Sequence, residues 1–554
     1  MFKHIYTNFH KLVVEKLEII NIENVSFTYP DCKNKALKNI NLKINEGEIV
    51  LIVGPSGCGK STLIRLLNKL IPNYYGGTLE GMVYLKNRDI DFVHNSEIAQ
   101  TVGMVYQHPE KQIVLQDVER EIAFGLENLN KNMNFMKRNV AEVISLLALN
   151  EIKGKQTTEI SGGQKQRVAI ASVVSMDPDI IVFDEPISQL DPISAEEVLN
   201  SIKKLNTDMG KTIILVEQRL DKCFHMADRI IFMENGCILG EGKPNNIPQY
   251  IDKKYHLPNI SYIFRQAKME NIPVTVKEGR NIIKDCNFEN KFKKNKFNSE
   301  VIMDVKKIQF EYEKGSKTLK DISFQLRKGR ILGVMGENGA GKSTLFKIIS
   351  GVINKYNGNI EVDGKNIKKI KMKDKIKKIG YLSQNPNDYF GRETVFDEVG
   401  YTLKNIGEYD DKKVYEILKK LNLIHLKDRN PRDLSGGEKQ RTAIACTLIT
   451  DPEILILDEP TRGMDSLAKE SLGKIMKSLV SEGKTIVVIT HDSDFLGDYA
   501  DEVMLMFDGE IVASGEATEV LCDSLYYSPQ ISKVFKNKCN VIKSEDAINL
   551  LKVM

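Results

Sequence analysis

"GPSGCGKST" occupies residues 54–62, and "GENGAGKST" occupies residues 336–344. Each follows a short apolar run, "EIVLIV" (48–53) or "RILGVM" (330–335), and opens a helical pattern, "STLIRLLNKL" or "STLFKIIS". A glycine turn between a buried strand and a helix is a phosphate cradle. Backbone N–H groups close around the anion, and the helix aims its positive N-terminus at it. The candidate phosphate-binding residues are Gly54, Gly57, Gly59, Lys60, Ser61 and Thr62 in the first loop. In the second they are Gly336, Gly339, Gly341, Lys342, Ser343 and Thr344. Lys60 and Lys342 would reach the β- and γ-phosphates of a nucleotide, and the hydroxyls of Ser61 and Ser343 would take Mg²⁺. Cys58, inside the first loop, reads as a small residue in a turn.

The duplication runs through the chain. "SGGQKQRVAIA" (161–171) recurs as "SGGEKQRTAIA" (435–445), and "IIVFDEP" (180–186) as "ILILDEP" (454–460). "TIILVEQRLD" (212–221) returns as "TIVVITHDSD" (485–494), and "PNISYIFR" (258–265) as "PQISKVFK" (529–536). The order is kept, so the sequence predicts a tandem repeat. Its parts are an N-terminal extension (1–16), a first domain with its C-terminal tail (17–283), a lysine-rich polar linker (284–300) read as a solvated tether, and a second domain with its tail (301–554). Within each half, short apolar runs alternate with helical periodicity. The expected fold class is α/β: two tandem P-loop NTPase domains, each with a mainly parallel sheet flanked by helices. In such sheets ligands bind at the C-terminal ends of the strands, where the polar residues of these runs lie.

Composition narrows the class. The 79 basic and 75 acidic residues of the 554 nearly cancel, to a net +4, so bulk charge does not call for nucleic acid as a partner. No apolar stretch approaches the roughly 18 residues of a membrane span. The start, "MFKHIYTNFHKLVVEK", is interrupted by charge every few positions, unlike a signal peptide. The expectation is a cytoplasmic protein, or one peripheral on a membrane. The eight cysteines contain no CxxC pair, which fits reduced thiols and argues against zinc or iron–sulfur sites.

Each "DEP" ends an apolar strand with two adjacent carboxylates. Asp184 and Asp458 are placed to hold Mg²⁺, while Glu185 and Glu459 can polarise a water that attacks a γ-phosphate. Ser161, Gly162 and Gly163, like Ser435, Gly436 and Gly437, form glycine turns opening long helices and so make a second anion-binding N-terminus in each half. That is redundant within one half. It makes sense if each turn closes over a nucleotide held by the other.

The P-loop, the "SGGQ"/"SGGE" signature, the "DEP" and a switch histidine after the third strand, in that order and spacing, resemble the ATP-binding cassette (ABC) ATPases, twice over. The resemblance implies a helical subdomain in each half, ATP and Mg²⁺ as ligands, and head-to-tail pairing of cassettes, within one chain or between two. It makes Tyr29 and Tyr312 adenine-stacking residues, and Gln107 and Gln384 the glutamines that contact Mg²⁺ and water and report nucleotide state. One composite site would join Lys60, Ser61, Asp184, Glu185 and Gln218 to Ser435, Gly436 and Gly437. The other would join Lys342, Ser343, Asp458, Glu459 and His491 to Ser161, Gly162 and Gly163. His491 would contact the γ-phosphate and hold the attacking water against Glu459. Its counterpart Gln218 can hydrogen-bond but cannot carry positive charge, so the two sites are expected to differ, the His491 site hydrolysing faster. A glutamine also orients water in small GTPases, which leaves the first site active in the competing reading.

"QHPEKQIVLQDVEREIAFGLEN" (107–128) and the tail "PNISYIFRQAKMENIPVTVKEG" (258–279) resemble the ATPases of energy-coupling factor importers of vitamins and transition-metal ions. In the second half "QNPNDYFGRETVFDEVGYTL" (384–403) departs from that pattern. This resemblance implies an ATPase at the cytoplasmic face of the cell membrane, bound through an integral membrane scaffold subunit and a substrate-capture membrane subunit. The alternatives are a soluble tandem ABC protein acting on ribosomes and the tandem ATPase of a sugar importer. Against the ribosomal one, the residues after the glutamates are "SQLD" (188–191) and "RGMD" (462–465), and prolines 244, 248, 258 and 273 interrupt any long helix between the halves.

Overall fold

The computed structural model describes residues 17–554 except 189, 250, 252–256, 289–299, 313, 314 and 316. The expected extension 1–16 and most of the expected linker lie outside the described residues. The chain divides into two compact units, Met1–Ile251 and Asp252–Met554.

The first unit contains strands β1 (Glu18–Thr28), β2 (Leu37–Asn45), β3 (Ile49–Val53), β4 (Thr78–Leu85), β5 (Arg88–Asp89), β6 (Val102–Val105), β7 (Ile180–Asp184), β8 (Thr212–Val216), β9 (Arg229–Glu234) and β10 (Cys237–Gly242). Six of them form one sheet in the order β10-β9-β3-β8-β7-β6. Every pairing in it is parallel except that of β9 with β10. All five residues of β3, of β7 and of β8 are buried, as expected of strands covered on both faces. Those are the apolar runs that end at the glycine loop, at "DEP" and before Gln218. A four-stranded antiparallel sheet, β2-β1-β4-β5, lies over one face. Its Ile20, Ile22 and Phe27 share a core with Val50, Ile52, Val182 and Ile214 and with Leu63 and Ile64 of the P-loop helix Lys60–Leu66. The helices Val118–Asn128, Met133–Leu146 and Gly162–Val174 pack on one another as the expected helical subdomain.

The second unit repeats this plan with β11 (Val301–Glu311), β12 (Lys317–Arg327), β13 (Ile331–Met335), β14 (Asn357–Val362), β15 (Lys365–Asn366), β16 (Ile379–Leu382), β17 (Ile454–Asp458), β18 (Thr485–Ile489), β19 (Glu502–Phe507) and β20 (Glu510–Glu516). The central order is β16-β17-β18-β13-β19-β20, beside an antiparallel sheet β12-β11-β14-β15.

The two tails pack together in the second compact unit. The first tail, with helices Asn259–Gln266 and Val276–Ile282, belongs to the second compact unit rather than to the domain that precedes it. Its Ile260, Ile263, Phe264 and Ile283 share a core with Ile531, Val534, Phe535 and Leu551 of the second tail. The physical reason is area. Each tail is two short helices with one apolar face, too little to close a core alone, and the two faces bury each other. Asp494 accepts from Asn259 Nδ2 (3.4 Å) and from Gln530 N (3.0 Å), one donor from each tail. The described start of the expected tether is packed as well: the Phe288 ring lies 4.9 Å from that of Phe535, and Lys538 Nζ donates to Cys286 O at 2.9 Å.

Candidate nucleotide sites

Both glycine loops have the backbone a phosphate cradle needs. Gly54 has φ 155° and Gly336 has φ 147°; a Cβ at either would meet the backbone oxygen of Met233 at 2.2 Å or of Met506 at 2.0 Å. Only glycine fits there, so the turn can press against the neighbouring strand and point its N–H groups inward. Lys60 Nζ donates to Gly54 O (2.8 Å) and Pro55 O (3.0 Å), and Lys342 Nζ to Gly336 O (2.8 Å) and Glu337 O (2.7 Å). Each ammonium is therefore held inside its loop. Burial pushes the Cys58 thiol up, against the pull of Lys60, which keeps it a packing group rather than a reactive thiolate.

Tyr29 and Tyr312, just beyond β1 and β11, hold equivalent places. Their hydroxyls lie 3.2 Å from Thr62 Oγ1 and 3.3 Å from Thr344 Oγ1. Their rings sit edge-on to Phe27 and Phe310. Both aromatics are thereby tied to the helix that leaves the loop.

At the ends of β7 and β17 the two carboxylates of each "DEP" turn opposite ways. Asp184 faces the P-loop, where Ser61 Oγ donates to its Oδ1 at 3.4 Å. Asp458 accepts from Tyr381 Oη at 2.9 Å, and its Oδ1 is buried without a hydrogen bond. Burial raises the pKa of both aspartates, while the adjacent serine and lysine favour the charged form. These residues fit Mg²⁺: one serine hydroxyl and one carboxylate in each half, the remaining ligands coming with the nucleotide as is usual for this ion. Among the described residues no cluster of three or more His, Cys, Asp or Glu could hold a metal by itself.

Glu185 and Glu459 sit one residue on, in left-handed backbone conformations, φ 49° and 51°. Their amides donate to Val216 O and Ile489 O, both at 2.8 Å, which pins each turn to the adjacent strand. An identical costly conformation in both halves is a mark of a functional turn. In the first half both oxygens of Glu185 are held by amides: Gln107 Nε2 donates to Oε2 at 2.7 Å and Gln218 Nε2 to Oε1 at 2.5 Å. Burial, then the nearby Glu217, then Asp184 push the Glu185 pKa up to about 8. In the second half His491 Nε2 lies 3.2 Å from Glu459 Oε1, with both side chains nearly buried. Gln384, the counterpart of Gln107, is exposed.

The signature turns cap their helices. Ser161 N donates to Gln164 Oε1 (2.9 Å) and Gln164 N to Ser161 Oγ (3.3 Å). In the other half Ser435 N and Oγ both donate to Glu438 Oε2, at 2.9 and 2.7 Å. Both turns start helices of 13 residues and are exposed at their N-termini.

Sequence reasoning missed Glu217, Arg219 and Tyr381. Glu217 is fully buried at the end of β8, and its carboxylate accepts three backbone amides. The only available signal was an acidic residue directly before Gln218.

A family model for "ABC transporter" matches residues 37–188 and again 319–462. The chain belongs to the ABC transporter ATP-binding family. An ABC ATPase binds ATP, and that holds for each half. An ABC transporter ATP-binding protein of Clostridium tetani, provisionally so named, is 70% identical over 437 residues, 79% of this ABC protein and 100% of that one. A Bacillus subtilis protein provisionally named for HMP/thiamine import, YkoD, is 32% identical over 511 residues, 91% of this chain and 92% of that one. An archaeal ribosome recycling factor, aABCE1, solved with a ribosomal stalk protein, superposes with a TM-score of 0.59 at 23% identity, over 90% of this chain and 91% of that one. That last likeness shows a shared tandem fold.

Proposed function

We propose that this ABC protein is the energising subunit of an importer of energy-coupling factor type, hydrolysing ATP at the cytoplasmic face of the cell membrane to drive uptake of a vitamin or a transition-metal ion through separate membrane subunits. The observation that carries the reading is the route from a groove to a base in the first unit. A cavity of about 300 Å³ is lined by Met104, Gln112, Phe124 and Met176 among others. Gln112 fixes the adjoining strand end, accepting from Tyr106 N at 2.9 Å and donating to Met104 O at 3.2 Å. The next residue, Gln107, donates to Glu185. A partner segment seated in that largely apolar groove is one short loop from the catalytic carboxylate. No helix among the described residues is long and apolar enough to cross a membrane, and this reading assigns the membrane spans to separate subunits. The name of the Bacillus subtilis relative supports import, and thiamine or its HMP precursor as the first substrates to test.

In each half the P-loop amides and lysine would hold the phosphates, and Ser61 with Asp184, or Ser343 with Asp458, would hold Mg²⁺. Mg²⁺, when bound, would supply charge neutralisation at the phosphates; Glu185 or Glu459 would take a proton from the attacking water while Gln218 or His491 orients it. Closure on ATP and opening after hydrolysis move the partner.

The test is purification of the tagged protein from membranes of its native cells, with mass spectrometry of what accompanies it. The reading predicts a multi-span scaffold and a small substrate-capture membrane protein. Ribosomal subunits without a membrane protein would replace it with the soluble reading.

A further inference from the structure

The two halves differ by more than Gln218 and His491. Glu217 Oε1 accepts from Ile187 N at 2.9 Å, and Oε2 accepts from Gln218 N at 3.0 Å and Arg219 N at 3.3 Å. Arg219 adds a second tie, from its Nη1 to Leu190 O at 2.8 Å. The turn that carries Gln218 is thus clamped to the segment after "DEP" by one buried carboxyl group. Repeat alignment puts Thr461 at the place of Ile187 and Thr490 at that of Glu217. There the clamp is neutral: the Thr461 and Thr490 hydroxyls lie 2.8 Å apart, and Asp492 N donates to Thr490 Oγ1 at 3.2 Å.

We propose that Glu217 is a positioning residue of the first nucleotide site, and that Ile187, Glu217 and Gln218 form one exchangeable unit whose counterpart in the second site is Thr461, Thr490 and His491. The inference rests on the reading of Glu185 and Glu459 as catalytic bases. Ile187 offers no side-chain hydroxyl, and the two acceptor oxygens of Glu217 hold its amide together with those of Gln218 and Arg219. That acceptor is the Glu217 carboxyl group, a second acid beside Glu185; burial pushes its pKa up, while the three amides and Arg219 favour its charged form. A neutral amide at 218 tolerates two neighbouring acids. A histidine there would lie between Glu185 and Glu217, and its N–H groups and charge would be drawn to carboxylates rather than to the γ-phosphate. With threonines at the other two places, the second half has no counterpart of Glu217 beside His491, whose Nε2 faces Glu459 Oε1 at 3.2 Å.

The consequence is a reversal of sign between single and combined exchanges. The first site is read alone in an E459Q background, with ATP turnover measured against ATP concentration. Q218H by itself is expected to lower kcat at least threefold. E217T by itself is expected to lower kcat at least fivefold with KM for ATP within twofold, because three amides lose their acceptor while the P-loop is untouched. I187T/E217T/Q218H is expected to restore kcat and raise it at least threefold above the E459Q parent. The proposal is overturned if Q218H alone reaches the rate of the triple variant. It is equally overturned if the triple variant, still binding a fluorescent ATP analogue as the parent does, turns over no faster than the parent. If the triple variant fails to bind nucleotide, the reciprocal exchange decides in an E185Q background: T461I/T490E/H491Q is expected to be at least threefold faster than H491Q, and equal rates overturn the unit. E185Q added to E459Q separates the two levels of the argument. Residual turnover there would remove the base assignment itself, whereas abolished turnover leaves any failure with the three-residue unit.

Discussion

His491 Nε2 lies 3.2 Å from Glu459 Oε1, at the place where the first half puts the Gln218 amide 2.5 Å from Glu185 Oε1. The same strand edge therefore presents a group able to carry positive charge in one half and a neutral one in the other. Charge developing on a γ-phosphate is stabilised by the first kind and only hydrogen-bonded by the second.

Lys60 and Lys342 each put an ammonium inside a glycine loop. Lys60→Ala should remove one nucleotide site and leave the other. Titration with a fluorescent ATP analogue is expected to fall from two sites per chain to one, the lost site weakening at least tenfold, about 1.4 kcal/mol. Lys342→Ala should give the mirror result.

Glu185 makes the stability of the nucleotide-free protein depend on pH. Its folded pKa, raised to about 8 by burial and then by Glu217, exceeds the ordinary 4.5. Between those values the folded state holds a proton that the unfolded state releases, so this group's contribution is present below pH 4.5 and is lost as pH rises toward 8. E185Q has no such proton. Thermal melts without Mg²⁺ or nucleotide should show E185Q stabilised relative to the parent, most at pH 8 and least near pH 5. An offset that does not change with pH would contradict the shift.

Phe264 and Phe535 both belong to the shared core of the two tails. Phe535→Ala should cost about 3–5 kcal/mol within that core. Hydrogen exchange is the check, because the loss should appear in residues 258–283 as well as in 529–551. Protection of the first tail unchanged by a mutation 271 residues away from Phe264 would contradict the shared core.

Much of the site was legible in the sequence because its residues lie on short contiguous motifs at strand ends. Gly54, Lys60, Asp184 and Glu185 announce themselves by spacing, and the fully buried β3, β7 and β8 read as apolar runs. The antiparallel sheet was not legible, since β1 pairs with β2 and β4 through irregular registers that interrupt period-two alternation. The packing of the tails was not legible for a related reason: the apolar face of Asn259–Gln266 shows that it must be covered, and nothing local says by what. Glu217 was invisible because its meaning lies in the amide of Ile187, 30 residues away, and the preceding apolar run makes it look like a strand simply reaching solvent. Tyr381 was hidden likewise, its partner Asp458 being 77 residues on.

The most direct measurement of the central claim, that the two sites are unequal, is steady-state ATP turnover of His491→Ala and Gln218→Ala side by side, at saturating ATP and Mg²⁺. The account predicts a loss of at least tenfold for His491→Ala, and for Gln218→Ala a loss of less than half, since the second site supplies most of the turnover. A loss of less than threefold on His491→Ala, or equal losses in the two variants, would contradict it.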